Sequence, residues 1–367
     1  MSLPIIYKNY KQNYGYNDTY KIGSYEIFLN HQIGAGGYSS VYIARCVDTD
    51  LATKLCINNT IKLNGTLINN IVAVKKINTK TLSFKYHKMI TEEINIMQHI
   101  KVNPHPNIIT CYDVIDDLDT IYIVMEYCVV GDFSKVIGKQ MKEEYVRYYF
   151  NQLVNGIKYL DEHKIIHRDI KPKNLLLTTS SNDNKQILKI CDFGLAKNKT
   201  GLLREYTICG SPLYMAPEMF KEKSYTDTAD IWSVGIIMYE MIYGRNPLSG
   251  VKDYNELEAF MINTVAIDIP PKNDITEECL NLLKRLLTKD SDDRITLKEL
   301  YTHKWLNESH KELSLVDELE NKSALLEINK ESANERKNDS SKDSFSKSSG
   351  TGSSGESSNI FLFNLEQ

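Results

Sequence analysis

A stretch that combines polar loops with apolar runs, from His167 to Gly194, constrains the fold of this 367-residue chain more than any other. It reads HRDIKPKNLLL, then a polar excursion, then ILKICDFG. Two carboxylates, an amide and two lysines therefore stand on loops between apolar, strand-like runs. Loops on a rigid scaffold carry binding and catalytic groups, so the sequence predicts a site here, at the rim of a cleft.

Composition and charge exclude several functional classes. The chain is 42% hydrophobic and 25% charged, which is typical of a globular protein. A net charge of -4 provides neither a basic field for nucleic acid nor a polybasic membrane stripe, so neither partner is expected. Seven scattered cysteines favour free thiols in a reducing compartment, the cytoplasm or else the nucleus.

No targeting or membrane segment is expected from the sequence. The first residues, MSLPIIYKNY, lack the long apolar core of a secretory signal. The most hydrophobic run, from Ile231 to Ile242, is short and contains Glu240. It is therefore predicted to be a buried helix and not a membrane span.

A change in pattern along the chain predicts two unlike lobes. Residues 1–24 are predicted to be a flexible leader, and residues 25–128 a small antiparallel β-sheet lobe with one main helix. Residues 129–306 read as a larger, mostly helical lobe, which gives an α+β fold class. The Ser/Lys-rich residues 307–367 are predicted to be a mostly disordered tail, because they cannot bury enough apolar surface.

An insertion of about residues 49–70 separates two predicted strands by more chain than they require. Its centre reads TIKLNGTLIN, with Asn64 and Gly65 flanked by alternating apolar residues. Asn-Gly is a strong hairpin signal because both residues tolerate positive φ. We predict that the insertion forms its own β-hairpin or lengthens the one that it interrupts; the alternative is an unstructured loop.

A glycine-rich segment, GAGGYSSV, runs from Gly34 to Val41 between the first two predicted strands of the sheet lobe. Glycines let backbone N–H groups approach a phosphate without obstruction from a Cβ atom. By itself the segment is equally compatible with an ordinary hairpin turn.

Seven motifs in order resemble those of a eukaryotic-type Ser/Thr protein kinase: the glycine-rich loop, VAVK, a helix with Glu, HRDIKPKN, DFG, APE and a helix with DxW. The resemblance spans Tyr25 to Leu306, and CGSPLYMAPE with MEYC looks most like the autophagy-initiating Atg1/ULK group. It implies a bilobal protein-kinase-like fold. It also implies transfer of the γ-phosphoryl group of ATP to Ser/Thr hydroxyls of protein substrates, with Mg²⁺ or else Mn²⁺.

The resemblance assigns catalytic roles residue by residue. Asp169 is expected to orient the substrate hydroxyl and accept its proton, and Lys171 to steady the migrating phosphoryl group. Lys75 is expected to hold the α- and β-phosphates and to pair with Glu93, with Glu92 as the second choice. Asn174 and Asp192 are the expected metal ligands, since both offer hard oxygen donors.

The resemblance also assigns an ATP-binding set. It comprises the glycine-rich loop, the adenine slot, the gatekeeper, the hinge, a ribose contact and the back of the pocket. These residues, with Lys75 and Glu93, are Ile33, Gly34, Ala35, Gly36, Gly37, Tyr38, Ser39, Ser40, Val41, Ala73, Met125, Glu126, Cys128, Asp132, Leu176 and Cys191.

Regulation by an anion in the activation segment is implied as well. Arg168, beside Asp169, and Lys197 are expected to receive a phosphate on Thr207, with Tyr206 as the competing acceptor. An upstream kinase or autophosphorylation would supply it. Two structural contacts are also expected, Glu218 with Arg294 and Asp230 with the backbone of the HRD loop.

Other functions remain as alternatives. A pseudokinase scaffold would keep the fold without the chemistry, but Lys75, Asp169, Asn174 and Asp192 are all present. A small-molecule kinase is disfavoured by GSPLYMAPE, which in protein kinases forms the platform for peptides. A tyrosine kinase is disfavoured by Lys171.

Overall fold

The computed structural model describes residues 18–80, 82–180, 185–198, 211–221, 227–264 and 266–307. The described residues form two compact units, one of residues 18–104 and 109–127 and one of residues 105–108 and 128–307. The predicted tail of residues 307–367 apart from Asn307, most of the predicted leader and Thr207 lie outside the described residues.

The first unit is built on an antiparallel sheet, as its alternating strands predicted. Its strands are β1 Thr19–Ile22, β2 Tyr25–Ala35, β3 Ser39–Cys46, β4 Thr60–Leu63, β5 Thr66–Asn69, β6 Ile71–Asn78, β7 Cys111–Asp117 and β8 Thr120–Glu126; its helices are α1 Thr49–Lys54 and α2 Phe84–Val102. Six strands pair in the order β1-β2-β3-β6-β8-β7. The core contains Tyr25, Ile27, Val72, Val74 and Val124, each at most 1% exposed.

The sheet begins earlier than the sequence predicted. Strand β1 pairs antiparallel with β2, from Thr19 opposite Phe28 to Ile22 opposite Tyr25, within the predicted leader of residues 1–24. Gly23 makes the tight turn at a positive φ of 53°. Four residues are too few to show a clear period-2 pattern, so the sequence did not reveal this strand.

The insertion contains a helix as well as a hairpin. Strands β4 and β5 pair around Asn64 and Gly65, whose φ angles of 48° and 87° fit the predicted Asn-Gly turn. The prediction was wrong for residues 49–54, which form α1. The Asp48 carboxylate caps this helix by accepting from Leu51 N at 2.9 Å, and Ala52 buries its methyl group in the core.

The second unit is mostly helical with two small sheets. Its helices are α3 Ser134–Ile137, α4 Glu143–Glu162, α5 Pro217–Lys221, α6 Asp227–Tyr243, α7 Tyr254–Asn263, α8 Glu277–Leu286, α9 Leu297–Tyr301 and α10 Lys304–Asn307; its strands are β9 Gly131–Asp132, β10 Ile165–Ile166, β11 Leu175–Thr179, β12 Gln186–Ile190 and β13 Lys197–Asn198. Turns of 3₁₀-helix cover Pro172–Asn174 and Pro212–Tyr214. None of the helices among the described residues is long and apolar enough to cross a bilayer.

The core of this unit lies around α4 and α6. Helix α4 buries Phe150, Leu153 and Ile157, and α6 is buried along most of its length, as its continuous apolar run predicted. Gly235 of α6 lets α8 approach closely, because a Cβ atom there would lie 2.9 Å from the Cβ atom of Leu286.

A short segment before β7 belongs to the second unit, although the sequence placed it in the sheet lobe. Ile190 N donates to Asn107 O at 2.9 Å, and Asn107 Nδ2 donates to Leu188 O at 2.9 Å. These bonds attach residues 105–108 to β12 across some eighty positions of sequence. No local pattern encodes a pairing of that kind.

A carboxylate joins the start of α4 to the end of the described chain. Glu143 Oε1 accepts from Trp305 Nε1 at 2.7 Å and from Arg147 at 2.8 Å, and Oε2 accepts from Thr276 N at 2.6 Å. Trp305 is fully buried. The indole N–H and the carboxylate therefore satisfy each other in the packed interior.

Candidate active site

The catalytic carboxylate predicted at Asp169 receives three side-chain donors. Its Oδ2 atom accepts from Asn174 Nδ2 at 2.9 Å and from Lys171 Nζ at 2.7 Å, and its Oδ1 atom accepts from Ser211 Oγ at 3.1 Å. Asp169 is 9% exposed. The donors hold the carboxylate in one orientation within reach of the surface.

A second carboxylate, Asp230 on α6, fixes the backbone of the same loop, as predicted. Its oxygens accept from His167 N at 2.8 Å and from Arg168 N at 3.0 Å. Arg168 takes a φ of 69°, a left-handed conformation that is costly for a side chain with a Cβ. The bonds to Asp230 compensate that cost and set the direction in which Asp169 points.

The two predicted metal ligands, Asn174 and Asp192, lie on segments that a backbone hydrogen bond connects. Cys191 N donates to Asn174 O at 2.9 Å, immediately before Asp192. Asn174 is buried, and its side-chain Nδ2 atom donates to Asp169. The side-chain carbonyl oxygen, Oδ1, is therefore the atom that can bind a cation. Asp192 is exposed at a φ of 63°. A carboxylate and an amide carbonyl fit a hard divalent cation.

The DFG segment is anchored beside the HRD loop. His167 Nε2 lies 3.0 Å from Cys191 O, and the His167 ring contacts the ring of Phe193 at 5.1 Å between centroids. Both side chains are at most 1% exposed. This packing places the backbone before Asp192 directly against the catalytic loop.

In the first unit, Lys75 on β6 pairs with Glu93 on α2. Lys75 Nζ lies 2.6 Å from Glu93 Oε1, and the two side chains are only 14% and 6% exposed. Glu92, the second choice from the sequence, lies on a less buried part of the helix. The paired carboxylate holds the ammonium group at one position on the sheet.

The glycine-rich segment forms the turn between β2 and β3. Gly34 pairs with Val41 and Ala35 with Ser40, and Gly36 N donates to Ser39 O at 2.8 Å. A Cβ atom on Gly37 would meet no heavy atom of the described residues within 4 Å. The Gly37 position therefore leaves open space beside the backbone of the turn, as close approach of a phosphate requires.

The remaining predicted ATP-binding residues of the first unit lie on its sheet. Ile33 is 49% exposed near the end of β2, whereas Ala73 of β6 is buried and pairs with Met125 of β8. Glu126 follows Met125 and is fixed by two bonds with Thr110, one of them from Thr110 N to its carboxylate at 2.7 Å.

The predicted ATP-binding residues of the second unit lie on its small three-stranded sheet and beside it. Asp132 of β9 pairs with Leu176 of β11, and its carboxylate accepts from both the backbone N–H and the hydroxyl of Ser134. Cys128 is buried and Cys191 is partly buried. Cys191 follows β12 directly, so Asp132, Leu176 and Cys191 lie in or next to neighbouring strands of this sheet.

Comparison with known proteins identifies the family. A model described as "Protein kinase domain" matches residues 57–306, which is more than half of the chain. The chain belongs to the protein kinase domain family. The match begins inside the insertion, after the glycine-rich turn, and includes Lys75, Asp169, Asn174 and Asp192. The match confirms the predicted bilobal kinase fold class. Membership of this family implies ATP and a divalent metal.

Several relatives carry the names of Ser/Thr kinases. The chain is 38% identical over 293 residues to Serine/threonine-protein kinase atg1 of Dictyostelium discoideum, covering 78% of this chain and 40% of that protein. It is 34% identical to ATG1a of Arabidopsis thaliana, covering 78% and 42%. It is 35% identical over 321 residues to Putative serine/threonine-protein kinase R517/R518 of Acanthamoeba polyphaga mimivirus, covering 79% and 66%. The chain thus spans about two fifths to two thirds of these relatives.

The kinase domain also uses a residue that sequence reasoning missed. Ser211 donates to Asp169 and accepts from Lys171 Nζ at 2.7 Å. It lies in the GSPLYMAPE segment, 42 positions after Asp169. The only signal was its place in that motif, because a contact over such a distance leaves no periodicity in the sequence.

Hydrogen bonds to Glu240, a buried carboxylate on α6, hold the same segment in place. The Tyr214 hydroxyl donates to Glu240 at 2.9 Å, and Asn246 Nδ2 donates to the same carboxylate at 2.7 Å. Burial raises the pKa of Glu240 above its ordinary value, while the bonds from Asn246 and Tyr214 act to lower it. The kinase domain thereby holds Tyr214, three residues after Ser211, against α6.

Replacing Tyr214 with phenylalanine should test this network. A hydrogen bond to a charged group contributes about 2 kcal/mol, so the free energy of unfolding should fall by about that amount near pH 7. The raised pKa means that the folded protein holds the Glu240 proton more firmly than the unfolded chain. The contribution of Glu240 to stability is therefore complete below pH 4.5 and falls as pH rises through the raised pKa. The hydrogen bond from Tyr214 favours the ionised carboxylate and therefore limits this loss of stability. The decrease in unfolding free energy caused by Tyr214→Phe should accordingly be smaller towards pH 4.5.

Urea unfolding of wild type and variant at both pH values measures this difference. Tyr243→Phe is the matched control, because the Tyr243 hydroxyl donates to the uncharged Pro270 O at 2.7 Å. It should cost about 1 kcal/mol at either pH. An equal, pH-independent cost for the two variants would contradict the assignment.

Proposed function

We propose that the chain is an ATP-dependent serine/threonine protein kinase. The arrangement around Asp169 carries the proposal, because Lys171, Asn174 and Ser211 orient one carboxylate in a chain of the protein kinase family. Membership of that family and the names of the relatives support the same activity.

Each residue has a separate part in the proposed reaction. The Asp169 carboxylate accepts a hydrogen bond from the Ser or Thr hydroxyl of a protein substrate, aligns it, and takes its proton late in transfer. The Lys171 ammonium, 2.7 Å from that carboxylate, offsets its charge and that of the moving phosphoryl group. Lys75, held by Glu93, binds the non-transferred phosphates.

Asn174 and Asp192 are proposed to hold Mg²⁺, with Mn²⁺ as the alternative ion. When bound, the metal neutralises charge on the phosphate oxygens. The hard oxygen atoms of the two side chains support this choice, and the bond from Cys191 N to Asn174 O keeps the two ligand loops together.

Transfer of ³²P from γ-labelled ATP to a generic protein substrate, followed by phosphoamino-acid analysis, tests the proposal. We expect label on serine and threonine, lost when EDTA removes the divalent metal. Label on tyrosine would contradict the acceptor class. Binding of nucleotide without any transfer would favour the pseudokinase scaffold.

Phosphorylation of Thr207 is proposed to activate the enzyme. Arg168 and Lys197 support this proposal, since Arg168 precedes Asp169 and Lys197 pairs with Ile166 just before the same loop. A phosphate makes one to three charge-assisted hydrogen bonds with such cations and orders the segment that carries it.

Thr207→Ala should therefore lower activity by about tenfold or more, since each charge-assisted bond lost costs about 1.5–3 kcal/mol. Initial rates of peptide phosphorylation measure the activity, and mass spectrometry measures the extent of phosphorylation at residue 207. Tyr206→Phe is the matched control and should retain activity. Full activity of unphosphorylated Thr207→Ala would reject the switch and would fit Glu205 as a permanent anion.

A further inference from the structure

The side chain at the tip of the glycine-rich turn contacts the first turn of α2. The rings of Tyr38 and Tyr86 lie 4.3 Å apart between centroids and are tilted by 52°. A hydrogen bond between the two phenol groups, together with burial, raises the pKa of Tyr86. Both residues belong to the first unit, and Tyr38 remains 44% exposed.

The turn has little else to hold its tip. Gly36 and Gly37 have no side chains, and the backbone is fixed by Gly36 N to Ser39 O at 2.8 Å and by Asn78 N to Tyr38 O at 3.3 Å. Glycines are the residues that lose most conformational freedom on ordering. A side-chain contact at Tyr38 therefore has a large share in determining where this turn lies.

Tyr86 and Glu93 stand on one face of α2. They are seven residues apart, which is close to two turns of an α-helix, so both side chains project towards the sheet. Glu93 contacts Lys75 on β6, and Tyr86 contacts Tyr38, which directly precedes β3. The same helix face thus positions both the lysine and the glycine-rich turn.

We propose that Tyr86 is a positioning residue that acts through Tyr38 to hold the glycine-rich turn in the conformation that binds the phosphates of ATP. The inference rests on the proposed kinase function and adds a residue outside the motifs recognised in the sequence. A turn already ordered before binding loses less conformational entropy when the nucleotide arrives, so the contact favours affinity for ATP over the rate of transfer.

The expected effect is a separation of KM from kcat. An aromatic pair of this kind is equivalent to a factor of about two to twelve in an equilibrium constant. Tyr86→Ala should raise KM for ATP by about fivefold and leave kcat within about twofold. Tyr86→Phe keeps the ring contact and should restore most of the affinity. His87→Ala, at the exposed next position of the helix, should match wild type.

A double-variant cycle tests whether the effect passes through Tyr38. In a Tyr38→Ala background, Tyr86→Ala should have no further effect on KM. An equal rise in both backgrounds would overturn the inference, because it would show that Tyr86 acts independently of Tyr38.

Hydrogen exchange without nucleotide gives a readout that does not depend on activity. Exchange of the Gly36 amide, which is bonded to Ser39 O, should be several-fold faster in Tyr86→Ala than in wild type or His87→Ala. Unchanged exchange and unchanged KM in Tyr86→Ala would overturn the inference while the kinase function stands. A wild-type protein that neither binds ATP nor transfers phosphate would instead overturn the proposed function.

Discussion

Asp169→Asn is expected to lower phosphoryl transfer by about 10²–10⁴-fold, the range for loss of a general base, and to leave affinity for ATP within about twofold. An amide accepts no proton at neutral pH, so the substrate hydroxyl loses its base. One end of the amide also carries N–H donors and cannot accept from Lys171 or Asn174 as the carboxylate does.

Single-turnover rates and equilibrium binding of ATP, measured on the same preparations, separate the two effects. Asp116→Asn is the matched control, since it makes the same change at an exposed position of β7. Circular dichroism and the unfolding midpoint show whether the catalytic variant is folded. A folded Asp169→Asn protein with wild-type transfer would remove Asp169 from the mechanism.

Arg294→Met is expected to lower the free energy of unfolding by about 3–5 kcal/mol, the cost of breaking a buried ion pair. The Nη1 and Nη2 atoms of Arg294 donate to Glu218 at 2.7 and 2.8 Å, and the two side chains are 0% and 5% exposed. The same group donates to carbonyl oxygens of Thr228 and Thr288, and it lies 5.2 Å from the centre of the Trp232 ring. Methionine leaves the carboxylate buried without its cation.

Urea unfolding gives this loss as a shift in midpoint at constant slope. Arg285→Met is the matched control, because Arg285 pairs with Glu299 at 2.6 Å with side chains that are 39% and 48% exposed. It should change stability far less, since water screens an exposed pair. Adding Glu218→Met to Arg294→Met should recover part of the loss by removing the unpaired charge. Similar losses for Arg294→Met and Arg285→Met would show that burial does not govern this pair.

The sequence predicted several contacts between residues of recognised motifs. The pairing of Lys75 with Glu93, the anchoring of the catalytic loop by Asp230, and the Glu218–Arg294 pair are all present in the structure. They could be read from the chain because the resemblance supplied a register for residues that are distant from one another. The Asn64–Gly65 turn could be read without it, since positive φ at both positions is a local requirement.

Other features had a weak local signal or none. Strand β1 is only four residues long, and α1 depends on its Asp48 cap and on the burial of Ala52. The bond from Ser211 to Asp169 and the contact of Tyr38 with Tyr86 join residues from different elements. Tertiary packing alone brings such residues together, so neither periodicity nor turn chemistry could have predicted them.

The bond between Glu143 and Trp305 has a consequence for synthesis on the ribosome. The two residues are 162 positions apart, and at about 5–20 residues per second the indole follows the carboxylate by about 8–32 s. During that interval the first turn of α4 exists without one of its partners. The helical unit is therefore expected to reach its final packing only after Trp305 has left the exit tunnel, and a nascent chain halted before that point should be more sensitive to protease.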